Sequence, residues 1–309
     1  MLTRFTGALS IFLAFGCGNA DDKTDSKATN ATSGASATLA PRTAVARPAS
    51  LASLEKVAVE GKMRELVSQF YANSTDEASQ NNDLAVCIDS VETAAENGGL
   101  RLRVLAQLSK CFEQWQVTED TTQASSQDVF DSTVVCDGLD PAKYAGVNTI
   151  ETYKAMVKAC DESKPMKLSS YSKTTLDYDE LVDGTKTSTT KIVSESSSQG
   201  TNGSFCEAPV GALVNAGSGC RVMEVETRTR VDAAGQSDVK VTYSELQAKD
   251  VTFQAAGDRY PASGSVSVVV NDWTGTLVFQ GPSTAPTFSG SNGTETVENE
   301  PMGDLTPAN

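Results

Sequence analysis

The chain has 309 residues, 40 acidic against 25 basic, a net charge of −15 and no histidine. So acidic a balance argues against nucleic acid as a partner, because that affinity rests on cationic contacts to phosphate. The missing histidine removes Ser-His-Asp and Cys-His catalysis and most catalytic zinc sites, and 39% apolar with 6% aromatic residues supports one or two modest cores.

In chain order, Arg4 precedes an apolar run from about Gly7 to Phe15, the layout of a secretory signal. The run is well short of the about 20 residues that span a bilayer. Ala14-Phe15-Gly16-Cys17 follows, with Leu13 one place early and Phe15 where a small residue is usual. This resembles the lipobox of bacterial lipoproteins. The resemblance implies that residues 1–16 are removed, that Cys17 is lipidated and that the exported chain is held to a membrane by its lipid. Gly18 after the cysteine points to the outer membrane. Residues 17–50 are mainly Ala, Ser, Thr and Pro with few large apolar side chains, the composition of a flexible tether.

Residues 51–165 are expected to be helical. Val59, Met63, Leu66, Val67 and Phe70 recur at three and four residues, as do Leu84, Cys87, Ile88, Val91 and Ala95. The second stripe ends at Asn97-Gly98-Gly99, a helix stop. A third runs through Val104, Leu105, Leu108, Cys111, Phe112 and Trp115, and a fourth from the N-cap Asn148 through Ile150, Tyr153, Val157 and Cys160. Asp128 to Cys136 fits strand or loop.

Residues 166–281 change to a period of two. Arg221–Val231 alternates, Asp183-Gly184 marks a hairpin between Leu176–Asp179 and Thr187–Ser194, and further strands are expected at 239–245, 251–254, 265–270 and 274–280. Short links demand antiparallel neighbours. Residues 194–204 are expected to form an insertion loop, and 282–309 a low-complexity tail.

With Cys17 set aside, Cys87, Cys111, Cys136, Cys160, Cys206 and Cys220 remain. An even count in an exported chain predicts disulfides, and with no C-x-x-C and no histidine there is no zinc set. Of 15 connectivities, the sequential one is expected: Cys87–Cys111 about the Gly98-Gly99 turn, Cys136–Cys160, and Cys206–Cys220 around a Gly-rich loop. Asp177, Asp179, Glu180 and Asp183 concentrate carboxylates near one turn, but without an EF-hand spacing they fit a solvated strand edge better than calcium. No metal and no cofactor is expected. Trp115 fits a helix core, whereas Trp273, placed in a turn, is the candidate contact for a ligand or partner.

The expected fold is α+β: a disulfide-pinned helical region followed by an antiparallel β-meander. The expected function is that of a non-enzymatic cell-envelope lipoprotein with a binding or structural role. Its partners would be the membrane through the anchor and an envelope protein or polysaccharide. An apolar-ligand carrier with a curved sheet belongs to this class, although Thr- and Ser-rich strands weigh against it. The alternative is a carboxylate-dependent hydrolase of cell-wall or surface polysaccharide, which needs two carboxyl groups about 5–10 Å apart.

Overall fold

A computed structural model describes residues 39, 45–68, 88–96, 98–107, 117–118, 121–136, 138–146, 167–201, 215–216, 221–252 and 260–303. Within them one α-helix, α1 (Lys56–Ser68), precedes a single antiparallel sheet, and a 3-10 turn, Pro141–Lys143, follows its fourth strand. Its strands are β1 (Ile88–Glu96), β2 (Gly99–Ala106), β3 (Val117–Thr118), β4 (Thr121–Val135), β5 (Lys167–Val182), β6 (Thr185–Thr201), β7 (Asn215–Ala216), β8 (Arg221–Asp232), β9 (Ser237–Thr252), β10 (Ser263–Val270), β11 (Trp273–Val278), β12 (Thr287–Ser291) and β13 (Thr296–Pro301). Eleven of them lie side by side in chain order, with β3 beside β4 and β7 beside β9 off that path. The meander expected for the second half therefore begins well before it and runs past its end.

The α+β expectation is overturned. Residues 88–106 form the hairpin β1–β2, with Glu96 paired to Gly99 and Gly98 at φ +77° in the turn between them. Asn-Gly is the commonest signal for such a two-residue turn, so the presumed helix stop is a hairpin. Leu100, Leu102, Val104 and Ala106 alternate with Arg101, Arg103 and Leu105, and the first four are buried. That is a period of two, which the recurrence of Val91 and Ala95 at four residues obscured, because four is also a multiple of two. Asp128 to Cys136 falls mostly in β4. Of the stripes that fall within the described residues, the first stands as far as Ser68, in α1, whose Val59 and Met63 are 2% and 0% exposed; Phe70 and residues 108–115 lie outside them. The expected helix at 148–160 lies outside the described residues.

Two further expectations change. Residues 194–201 belong to β6 and pair with β5, and 194–199 pair with β8 as well; there the backbone ladder, not apolar alternation, defines the strand. Residues 287–301, expected to be tail, add β12 and β13 to the sheet, each with one large apolar side chain turned inward, Phe288 and Val297. The body also starts earlier than residue 51: Leu39 and Val45 are buried, and the Arg47 guanidinium lies 5.7 Å from the centre of the Tyr243 ring.

The hairpin at Asp183-Gly184 forms as expected, with φ +49° and +73° in a two-residue turn. Strand β5 has 16 residues, β6 has 17 and β9 has 16, so each is roughly 50 Å long at about 3.3 Å per residue. The edges are guarded. Gly146 N–H donates to Thr93 O at 3.2 Å, laying the turn after β4 along β1, while β13 carries Glu298, Glu300 and Pro301. Charges and proline discourage further strand pairing.

Candidate functional site

Helix α1 packs on what is here called the inner face. Val59 and Met63 join Val222, Leu246, Val266, Val268, Trp273, Leu277 and Phe288 in one apolar cluster on β8–β13. A second apolar field lies on the same face at the other side of the sheet, with Leu100, Leu102, Val104, Phe130 and Val134 each 6% exposed or less. Register fixes what separates them. Reading across the strands gives Phe130, Ser172, Ser196, Glu224, Ser244 and Val270 in one row. The next row runs Asp128, Thr174, Ser194 and Glu226. A polar seam thus crosses the inner face between two apolar fields.

Some of the seam is internally satisfied. Ser172 and Ser196 share a hydrogen bond of 3.1 Å. Lys62 of α1 reaches Glu224 Oε1 at 3.0 Å, with the two side chains only 10% and 9% exposed. The hydroxyls of Ser132 and Ser244 are buried without a hydrogen-bond partner, and the buried Asp128 carboxyl has no partner of good geometry, only the Thr174 hydroxyl beside it. Asp128 is 3% exposed, Ser132 and Ser244 0%. Burial pushes the Asp128 carboxyl up to about 6, with the Thr174 hydroxyl beside it pulling weakly the other way. Folded proteins leave few such groups, and each calls for a specific explanation, such as stored strain, a chemical role, or a water or ion that meets it.

The opposite face carries charge pairs, and one buried hydroxyl without a partner, that of Ser197. Arg101 donates to Asp131 through Nε at 2.8 Å and also through Nη2, and it pairs with Glu96 at 3.2 Å. Glu195 accepts from Tyr171 at 3.1 Å and Lys173 at 2.7 Å. Burial first, and then Glu195, pushes the Tyr171 phenol up.

The carboxylates near the Asp183-Gly184 turn are likewise engaged. Asp179 meets Lys186 at 2.8 Å and Thr189 at 2.9 Å, and the Lys186 bond foremost holds its carboxyl below the usual range. At Glu180, burial pushes upward but is outweighed by Ser188, Thr190 and Arg230, at 2.6, 2.9 and 2.9 Å. Among the described residues no group of three or more His, Cys, Asp or Glu is placed to hold a metal.

Trp273, the candidate ligand contact, is instead core. It opens β11, is 1% exposed, and its indole Nε1 donates to Leu54 O. The turn is Asn271-Asp272 alone, since Val270 and Trp273 pair directly. Cys136 is disulfide-bonded; Cys17, Cys87, Cys111, Cys160, Cys206 and Cys220 lie outside the described residues, and so does Trp115. Sequence reasoning missed Asp128, Ser132, Glu224 and Ser244. The signal for Asp128 was its place in alternation with Phe130 and Ser132, which becomes visible only once β4 is taken as a strand. No helix of the described residues is long and apolar enough to cross a membrane. No family model, no curated protein and no solved structure matches this chain.

Proposed function

We propose that the protein is a non-enzymatic binding module of the cell envelope, tethered through a lipid on Cys17, and that its inner sheet face receives the ligand. One observation carries this: on that face the Ser132 and Ser244 hydroxyls are buried without partners and the buried Asp128 carboxyl has only the Thr174 hydroxyl beside it. A core built only for stability would pair such groups or replace them, because an unmet buried polar group costs about 1–3 kcal/mol. Apolar fields flanking a polar seam suit a guest that is itself part apolar and part polar.

The hydrolase reading loses ground on the same face. Asp128 stands three strands from Glu224 and Glu226. At about 4.8 Å between strands that is roughly 14 Å along the sheet, beyond the about 5–9.5 Å that glycoside hydrolysis uses. Glu224 and Glu226, two residues apart on one face of β8 and so roughly 7 Å from each other, do fall in that range, but Glu224 is held by Lys62 at 3.0 Å.

The test is extraction of the full chain from its native membrane in a mild detergent, followed by organic extraction and mass spectrometry of what accompanies it. A single class of amphiphile near one per chain supports the proposal. Turnover of isolated envelope polysaccharide that vanishes when one Asp or Glu becomes its amide, with folding intact, overturns it.

A further inference from the structure

We infer that α1 is a hinged lid: it lifts from β8–β13 and unwinds as one unit while the sheet beneath stays folded. This goes beyond the ligand reading and stands on the make-up and packing of the helix alone.

The helix is weak by composition. Gly61 stands near its middle, where only proline is less favoured, and a Cβ on Gly61 would meet nothing within 4 Å. No close approach therefore requires the glycine. Val57 and Val59 are β-branched, which lowers helix propensity further. The first turn holds no acidic residue and the last no basic one, so no charge at either end complements the helix dipole. A segment of 13 residues with this composition does not stay helical in water unaided. Off the sheet it unwinds, and all of its amides are released together.

Two kinds of contact join the described side chains of α1 to the sheet. Val59 and Met63 enter the apolar cluster, and they resist lifting. The ion pairs resist it far less. Lys62 meets Glu224 on β8 at 3.0 Å, both side chains being nearly buried, and in the open state each charge recovers the hydration it lost on burial. Lys56 pairs with Glu300 on β13, but those side chains are 33% and 39% exposed, and a pair so exposed contributes little.

The stretch just before the helix is fastened in another way. Ala52 O accepts from Asn271 Nδ2, Ser53 Oγ and Leu54 N–H both donate to Asp272, and Leu54 O accepts from Trp273 Nε1. These bonds make residues 52–54 the hinge, and the helix beyond them is the part that swings. Beneath it Val222, Leu246, Val266, Val268 and Leu277 are each 5% exposed or less. That surface is closed while α1 is down, and raising α1 uncovers it.

The experiment is residue-resolved hydrogen exchange of the full chain in mild detergent, under conditions where reclosing outpaces exchange. In the wild type, amides 60–68 are expected to exchange about 100-fold or more faster than the slowest amides of β9, β10 and β11. Their protection is expected to be alike along the helix to within about threefold, because one opening releases them all. Gly61→Ala, which adds only a methyl in open space, is expected to slow exchange throughout α1 by about fivefold, the difference in helix propensity between the two residues. Lys62→Met combined with Glu224→Met is expected to slow it by about tenfold or more, since methionines gain nothing from water on opening. Exchange of α1 as slow as that of the sheet overturns the inference, because the helix then opens only when the whole chain unfolds. Protection that fades steadily toward Ser68 overturns it as well, being end fraying and not lifting. So does a Gly61→Ala or a double-methionine variant whose α1 exchanges as fast as the wild type. None of these outcomes bears on whether an amphiphile accompanies the extracted protein, so the ligand reading stands or falls separately.

Discussion

The indole Nε1 of Trp273 donates to the backbone carbonyl of Leu54 at 2.8 Å, across 219 residues of sequence. It belongs to a clasp. Asn271 Nδ2 donates to Ala52 O at 3.0 Å while its Oδ1 accepts from Tyr243 N–H at 2.8 Å, and Asp272 accepts from Ser53 Oγ at 2.6 Å and Leu54 N–H at 3.2 Å. The segment before α1 is thereby fastened to the turn between β10 and β11. Asn271→Ala is expected to lower stability by roughly 3 kcal/mol, since it strands the buried Tyr243 N–H and the Ala52 carbonyl. Asn271→Gly, which suits the φ of +48° but restores no hydrogen bond, is expected to recover little. Urea denaturation decides it: a loss below about 1 kcal/mol in Asn271→Ala means the clasp contributes little.

Glu224→Gln is expected to destabilise by up to about 3–5 kcal/mol, because it removes the negative partner of a Lys62–Glu224 pair whose side chains are only 10% and 9% exposed. The double variant Lys62→Met with Glu224→Met is expected to be close to the wild type or better, as apolar replacement of buried pairs often is. Thermal melts of both separate the worth of the pair from the cost of breaking it. A double variant as unstable as the single one contradicts this account.

Phe288 fills a slot made by two glycines. Gly275 and Gly290 face each other across β11 and β12, and a Cβ on either would collide with the Phe288 ring and with a strand carbonyl. Gly290→Ala is expected to destabilise by about 1–3 kcal/mol through overpacking. Gly290→Ala combined with Phe288→Leu should recover part of that loss, measured by the same melts; no recovery would place the strain in the backbone at Thr274 and not in the ring.

Asp128 sets a pH dependence with a definite sign. Its carboxyl titrates near 6 in the folded chain against 3.8 for the ordinary side chain. Between those values the folded chain holds a proton that the unfolded chain has released, so stability falls as pH rises from about 4 to about 6 and the full penalty persists above. The shift is worth roughly 3 kcal/mol. Asp128→Asn is therefore expected to be more stable than the wild type at neutral pH by up to that amount, with the gain vanishing near pH 4. Parallel denaturation curves for the two proteins across this range rule the assignment out.

Cys17→Ser is expected to release the chain from membranes or leave it unprocessed, and the wild-type mature N-terminal peptide is expected to carry acyl mass. An unmodified N-terminus at Asp21 removes the anchor. Non-reducing peptide mapping checks the disulfides in the same sample, with Cys136 expected to be joined to Cys160; a Cys111–Cys136 peptide refutes the sequential scheme.

Alternation revealed strands where one face is apolar and the other polar. Arg221–Val231 and the Asp183-Gly184 hairpin were readable for that reason, and α1 for the equivalent reason at a helical period. Strands failed to announce themselves where both faces are polar. Ser194 to Thr201 shows no hydrophobic pattern, Ser194 and Ser196 lie in the seam, and the strand is held by a ladder to β5 throughout and to β8 as far as Gln199. Strands β12 and β13 carry too few apolar residues to signal alone. The same cause hid the candidate site: Asp128 and Ser132 break the alternation of β4, and Ser172, Ser196 and Ser244 are individually indistinguishable from surface serines. Only register, which is a long-range property, assembles Ser172, Ser196 and Ser244 into one row, with Asp128 in the row on one side of it and Ser132 in the row on the other.

The clasp also orders events in time. Val59 and Met63 are the earliest members of their cluster, and their neighbours there extend to Val297 and Met302. A ribosome or an export channel delivers the N-terminal end first, so α1 emerges before any of the strands it will rest on exists. Contacts that close over more than 200 residues form slowly, because the chain between them must first be ordered. Until the last hairpins arrive, α1 has no docking surface, and at 13 residues it is too short to hold a stable helix by itself in water. The sequence therefore delays its own closure. A chain arrested before Trp273 is expected to remain open to proteases and chaperones throughout its N-terminal segment, and to become resistant only when the final strands are released.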